Sequence, residues 1–497
     1  MADHFSEAFR RGGAMIKKFI ARIFGKHGTG VGAGSGKVVK PHILGKKEHR
    51  ITRDQISNAA LRVCDGLHDE GYQAFVVGGA VRDLLLGRHP KDFDVCTDAT
   101  PEQVRSVFRR SRIIGRRFRL VHVMFGQETI EVSTFRAHHG DPPAPGDATQ
   151  RDVPASEHAR SDEHGRLLRD NVFGDQQQDA IRRDFTMNAL FYDPSREEVW
   201  DYVEGVADIR KKKVVMIGDP TARYREDPVR MLRAARLAGK LGFSIEPNTE
   251  KPIAELAPLL ANVPEARIFD EMLKLLFSGH ALVCIEKLHA LGLHKMVLPS
   301  LGPLLSNADS RPFATLALTR TDERIAADKG VSPAFLFAAL FWHPMKTLWQ
   351  KHEAAGMRPA QAMHEAMDEV LEDQRKHLAV PRRLDAGIKE LWLSQPRFLQ
   401  RSKVKAYRNL SHPRFRACYD FFELRASAGD ADPEVAHWWE KFQFAQEDER
   451  EAMLLPDDAP RKKRRRRGKK SGGPLSAETE NGGNMGPDHD SRDPQNE

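Results

Sequence analysis

The chain has 497 residues, 40% of them hydrophobic, with a formal net charge of +8. That length exceeds one compact core, so two or three domains are expected, while the longest apolar run, Ala334 to Trp342, is too short to cross a bilayer and reads as a buried helix. Four scattered cysteines without a CxxC pair (Cys64, Cys96, Cys284, Cys418) argue against a zinc ribbon or disulfide framework and suit a reducing cytoplasm, and no cleavable secretory signal is evident.

Residues 1–50 read as a basic extension and linker. Ile16, Phe19, Ile20, Ile23 and Phe24 share one helical face, with Lys17, Lys18, Arg22 and Lys26 elsewhere. Such a helix suits an acidic membrane surface, a docking site on its own protein, or a targeting role. The following "GTGVGAGSGKVV" imitates a phosphate loop, but Val38 follows Lys37 and no strand precedes it, so it reads as a flexible tether.

A folded region is expected from Ile51. "TRDQISNAALRVCDGLHDEG" reads as a helix ending at Gly71, and "YQAFVVGG" as a strand entering a glycine turn. "AVRDLLLG" is a short helix, "DFDVCT" a second strand, and "TPEQVRSVFRR" a helix opened by a Thr100–Gln103 capping box. "IIGRRFRLVHVMFG" and "TIEVSTFR" read as a strand pair. Their connections are too short for repeated crossovers, which predicts an α+β head with a small mixed or antiparallel sheet. The proline-bearing stretch from Gly140 to Arg169 reads as a loop, and its histidines lack metal-ligand spacing. From Arg223 to Phe444 the periods are helical.

Asp92 and Asp94 stand two apart, and in a strand that spacing puts both on one face. Adjacent carboxylates repel, so one keeps its proton unless a cation lies between them; hard oxygen ligands suit Mg2+. Gly78 and Gly79 let a ligand approach the backbone, with N–H groups available to phosphate oxygens, and Arg82 follows on the next helix. Asp227 before Pro228 reads as a helix N-cap with proline at the first helical position, and Arg230 follows on the first turn. An acceptor beside a donor matches the pairing edge of adenine or cytosine and rejects guanine and uracil, without separating A from C.

The ordered set "GGAVRD", "KDFDV", "RRDFTMNAL" and "YREDPVRMLRAARLAGKLGF" resembles the polymerase β nucleotidyltransferase superfamily. More closely it resembles the class II group of bacterial poly(A) polymerases and tRNA CCA-adding enzymes. The resemblance covers Ile51 to Phe277 strongly. It implies a polymerase β-like α+β head at 51–210, a helical nucleotide- and RNA-binding neck at 211–280 and an all-helical body at 281–450. It assigns Asp92 and Asp94 to two Mg2+ ions, with Glu131 or Asp184 completing the catalytic set. Arg182 and Arg183 suit triphosphate or ribose, and Asn188 either bonds the nucleotide or caps locally.

The arginine-rich "IIGRRFRLVHV", with Arg116, Arg117 and Arg119, resembles the poly(A) polymerase branch. So does the run Arg461 to Lys470, including Arg461, Lys462, Lys463, Arg464, Arg465, Arg466 and Arg467, within a disordered tail at 451–497. That run carries nine positive charges and leaves about −1 on everything else, so it reads as a contact for RNA phosphates. The resemblance implies template-independent addition of AMP from ATP to RNA 3′ ends, with RNA-decay proteins as further partners; the cytoplasmic location rests on the cysteines, and a peripheral inner-membrane contact on the membrane reading of the N-terminal helix. The alternatives are a tRNA CCA-adding enzyme and a catalytically idle RNA-binding protein.

Overall fold

In the computed structural model the described residues are 40–115, 119–137 and 172–456, with the backbone alone of two short strands between 160 and 169. The N-terminal helix, Arg116, Arg117 and the basic run from Arg461 lie outside them.

The head is built on an eight-stranded mixed sheet, larger than the small one expected. Its strands are β1 (His42–Leu44), β2 (Ala74–Val77), β3 (Asp94–Thr97), β4 (Ser111–Ile114), β5 (Leu120–Phe125), β6 (Glu128–Thr134), β9 (Leu190–Asp193) and β10 (Glu198–Asp201). A separate two-stranded ribbon, β7 (Arg160–Ser161) with β8 (Leu167–Arg169), lies inside the stretch read as a loop. Strand order in the main sheet is β1-β10-β9-β2-β3-β6-β5-β4, and every pairing is antiparallel except β3 with β6. The expected strand pair is thus three strands, because "IIGRRFRLVHVMFG" folds back on itself: Ile114 pairs with Leu120 in antiparallel register, and Gly115 follows the first of the two strands at φ +85°. A three-residue strand from the stretch read as linker forms the other edge.

Helix α1 (Asn58–Asp69) starts later than expected, because Ser57 Oγ accepts the Ala60 N–H at 3.1 Å and a 3-10 turn occupies Arg53–Gln55. Its Ala59, Ala60, Val63, Cys64 and Leu67 recur at helical spacing and bury against the sheet. Helix α2 (Gly79–Leu85) follows the glycine turn, and α3 (Pro101–Val107) carries the expected capping box. Val76, Val95, Val121, Val123, Ile130 and Val132 pack under α1 and α3, so the intervening residues, Asp94 and Glu131 among them, face the opposite side.

Helix α4 (Gln176–Arg182) leads into β9, and α5 (Pro220–Glu226) and α6 (Val229–Leu241) begin the helical part, joined later by α7 (Glu265–Leu276). Among the described residues beyond α5 the only strand is the two-residue Ser244–Ile245, paired in parallel with Lys213–Val214. The apolar run expected to be buried forms the helix Pro333–Leu340, with Leu336 to Leu340 all buried. In the body Trp392 and Trp439 are fully buried, their indole N–H groups donating to Ala338 and Phe398 carbonyls at 3.0 and 2.8 Å. No helix among the described residues is long and apolar enough to cross a membrane.

Candidate active site

Strand β3 opens at Asp94, and its parallel neighbour β6 sets Glu131 directly beside it. Asp92 lies two residues earlier, exposed, on the chain leading into the strand. Loss of water at the packed sheet end, then Glu131 and Asp92, push the Asp94 pKa up to about 6, while Arg183 opposes them. Asp94 keeps an exposed surface, so solvent moderates the desolvation part; the carboxylate repulsion is the part a cation would remove. Glu131 Oε1 lies 3.2 Å from Nε2 of His122 on β5, a neighbour the sequence did not single out. Among the described residues no three His, Cys, Asp or Glu side chains converge as they stand on a point that could hold an ion. The donor set nonetheless suits Mg2+ chemically: three hard oxygen donors on adjoining backbone, mutually repelling.

Gly78 turns the chain at φ 71°, ψ −128°, a conformation that only glycine adopts without strain. Its N–H is not available to a phosphate, because it donates to the Leu190 carbonyl at 3.1 Å. What the glycine provides is closeness: a Cβ there would sit 3.4 Å from Arg183 Nη1. Arg183 is held in that position by Asp179, which accepts from Nε and Nη2 at 3.0 and 2.9 Å, and by Cys96 Sγ at 3.1 Å. Burial raises the Cys96 pKa to about 12, so it stays a neutral thiol on the Asp94 strand. Arg182 lies alongside, 3.9 Å from Asp179.

Arg82, Asn188 and Asp184 face inward. Arg82 is buried beneath the turn, donating to Asp83 at 2.8 Å and to Asn188 Oδ1 at 2.6 Å. Asn188 Nδ2 donates to Asp184 Oδ1 at 3.2 Å, and Asp184 Oδ2 accepts from Arg233 of α6 at 2.6 Å. Burial alone would raise the Asp184 pKa, but Arg233, Asn188 and the Phe185 N–H together hold it well below the usual carboxylate range. Asp184 is therefore braced between head and neck, and the carboxylates acting on Asp94 are Glu131 and Asp92.

Asp227 does not cap the next helix. It ends α5 in an extended conformation, Pro228 takes the N-cap position without a side-chain bond, and the Asp227 carboxylate accepts from Arg267 of α7 at 2.9 Å. Arg230 donates to Glu226 at 2.6 Å and to the Arg223 carbonyl at 2.8 Å. Arg223 in turn reaches the backbone carbonyls of Arg182 and Arg183, clamping the "RRDF" turn to the neck.

The carboxylates of Asp94 and Glu131 thus lie beside a glycine turn overlooked by a fixed guanidinium group, and a polymerase β-like mixed sheet leading into helices is the fold of nucleotidyltransferases. Family models match in the same order: the poly A polymerase head domain over residues 74–215, a probable RNA and SrmB-binding site of polymerase A over 242–305, and the polymerase A arginine-rich C-terminus over 355–471. The chain is 44% identical to poly(A) polymerase I of Salmonella typhimurium over 431 residues, covering 85% of this chain and 90% of that one. It is 42% identical to poly(A) polymerase I of Haemophilus influenzae, covering 83% and 90%. A CCA-adding enzyme of Bacillus licheniformis is 35% identical over 48% of this chain. Among solved structures, a tRNA-processing enzyme in an apo form shares the fold with a TM-score of 0.55 at 19% identity, covering 82% of this chain and 99% of that one. The chain belongs to the poly(A) polymerase I family, whose members are polynucleotide adenylyltransferases.

Proposed function

We propose that this chain adds AMP from ATP to RNA 3′-OH ends without a template, releasing pyrophosphate and marking the RNA for turnover. The observation that carries the reading is the register of β3 with β6, which sets Glu131 beside Asp94 two residues from Asp92. These three would hold two Mg2+ ions, which when bound would activate the attacking hydroxyl and neutralise charge on the departing pyrophosphate. Arg183, fixed by Asp179, faces the triphosphate with Arg182 beside it, and the Gly78–Gly79 turn admits the phosphates to close range. Arg82 and Asn188 support that turn from below, and Asp184 carries the support to the neck. Asp227 and Arg230 at the head of α6 meet the pairing edge of the base.

The run Arg461 to Arg467 grips RNA phosphates without reading bases. A cytoplasmic location fits the four buried, unpaired cysteines, and the N-terminal helix would supply any contact with the inner membrane. Partners in RNA decay follow from the proposed role alone.

The test offers each NTP singly to the purified protein with an RNA of arbitrary 3′ sequence and with a tRNA lacking its 3′ end. Long adenylate ladders on both, with poor CTP use, are expected. Addition that halts after CCA would favour the tRNA enzyme, and no addition at all would favour an idle RNA-binding scaffold.

A further inference from the structure

Between Gln103 and Gln127 the chain carries seven arginines and not one carboxylate. Part of this segment walls an open cavity of about 520 Å3 on the α1/α3 side of the sheet, opposite the face of Asp94 and Glu131. Arg62 of α1, Arg109 and Arg110 contribute three exposed guanidinium groups, while Phe108 and Phe125 supply partly buried aromatic walls. The Arg62 guanidinium lies over the Phe125 ring at 5.3 Å, and the Met124 N–H donates to the Arg110 carbonyl at 2.9 Å, which holds the cavity's two rims together. No acidic residue lines the cavity, and among the described residues none of the three arginines forms an ion pair.

We propose that this cavity binds single-stranded RNA upstream of the 3′ end, with phosphates on Arg109 and Arg110 and a base against Phe125 beneath Arg62. The inference rests on the polyadenylation reading above. Like charges gathered without counter-charges favour an anion, and phosphates flanking a flat ring combine both features of the lining. The cavity adjoins β4, the free edge of the sheet, which lies three strand spacings from β3, about 14 Å. A few extended nucleotides bridge that distance, so an RNA whose 3′ end sits at Asp94 reaches over the edge. Contact through backbone and one stacked base carries little sequence preference, as required for RNAs with unrelated ends.

The test uses the full-length protein with the double variants R109E/R110E and R109Q/R110Q, and oligoribonucleotides of two lengths. Both variants should bind a long oligonucleotide several-fold more weakly, with the log–log salt slope shallower by about 1.4 for two lost single-strand phosphate contacts. Extension of a dinucleotide primer should be unchanged, because it is too short to reach the cavity. Photocrosslinking an oligonucleotide that carries 4-thiouridine several positions from its 3′ end should label the peptide containing Phe108 or Phe125. Unchanged affinity and slope in both variants, equal loss on the short primer, or crosslinks confined to other peptides would each overturn the proposal. Absence of extension by the unmutated protein would instead reject the polyadenylation reading itself.

Discussion

The guanidinium group of Arg233 and the carboxylate of Asp184 meet at 2.6 Å and tie the neck to the head. Their sequence positions are 49 apart. Through Asn188 the same chain of bonds reaches Arg82 under the glycine turn, so the neck and that turn share one polar framework.

Asp184→Asn should destabilise the fold by about 2–3 kcal/mol, since it removes the charge opposite a partly buried guanidinium group whose next partner, Glu271, is 3.9 Å away, and the exposure of Arg233 trims the loss. The folded carboxyl titrates below its unfolded value, so this stabilisation is complete above about pH 4 and disappears as the pH falls through the folded value. Denaturant unfolding at neutral and strongly acidic pH measures both effects. Variant and parent should converge in acid.

Asp94 behaves oppositely. Its pKa is raised to about 6, so a proton on it favours the fold below the unfolded value near pH 4, and that advantage is lost as the pH rises through about 6. A divalent cation replaces the proton, and Mg2+ should raise the melting temperature more at about pH 8 than at about pH 5. Asp94→Asn should remove the difference and lower nucleotide addition by about a hundredfold or more. Thermal melts with and without MgCl2 decide the first point, and single-turnover assays the second.

Asp179→Asn should loosen Arg183 without touching the carboxylates. Charge-assisted hydrogen bonds contribute about 1.5–3 kcal/mol, so KM for ATP should rise roughly tenfold or more, with a smaller effect on kcat. An unaltered KM would mean that Arg183 needs no such support.

Gly78→Ala should cost about 1–3 kcal/mol of stability, because φ 71° with ψ −128° strains any residue with a Cβ. The nearest atoms, at 3.4 Å, leave room for the methyl group itself, so the cost is conformational. Chemical denaturation reads it directly, and Gly71→Ala, with φ 85° and open space around it, serves as a comparison for positive φ alone.

Part of the carboxylate-bearing end of the head was legible in local spacing. The strand alternation around Ile130 and Val132 pointed Glu131 outward, whereas Asp92, expected on the same strand as Asp94, lies on the chain leading into it. The chain reversal between Ile114 and Leu120 was missed because Gly115 is not preceded by the Asn or Asp that signals a tight hairpin. The cap reading of Asp227 failed for a different reason. The local pattern was sound, but Arg267, 40 residues on, draws the carboxylate away. The Asp179–Arg183 pair was readable as an i, i+4 spacing, yet nothing local says that Arg183 ends over Gly78.

Sequence alone determined which chemistry the chain carries: the paired aspartates, the glycine turn, the order of the later motifs and the concentration of charge beyond Arg461. Covalent spacing suffices there, because it decides which side chains share a face within one element. Only the tertiary structure decided which partners equivalent acidic groups meet. Glu131 joins Asp94 because β6 runs parallel to β3, and Asp184 turns to Arg233 because α6 packs against the head. A carboxylate's role depends on the charges and solvent around it, and those arrive from distant parts of the chain only when the elements pack.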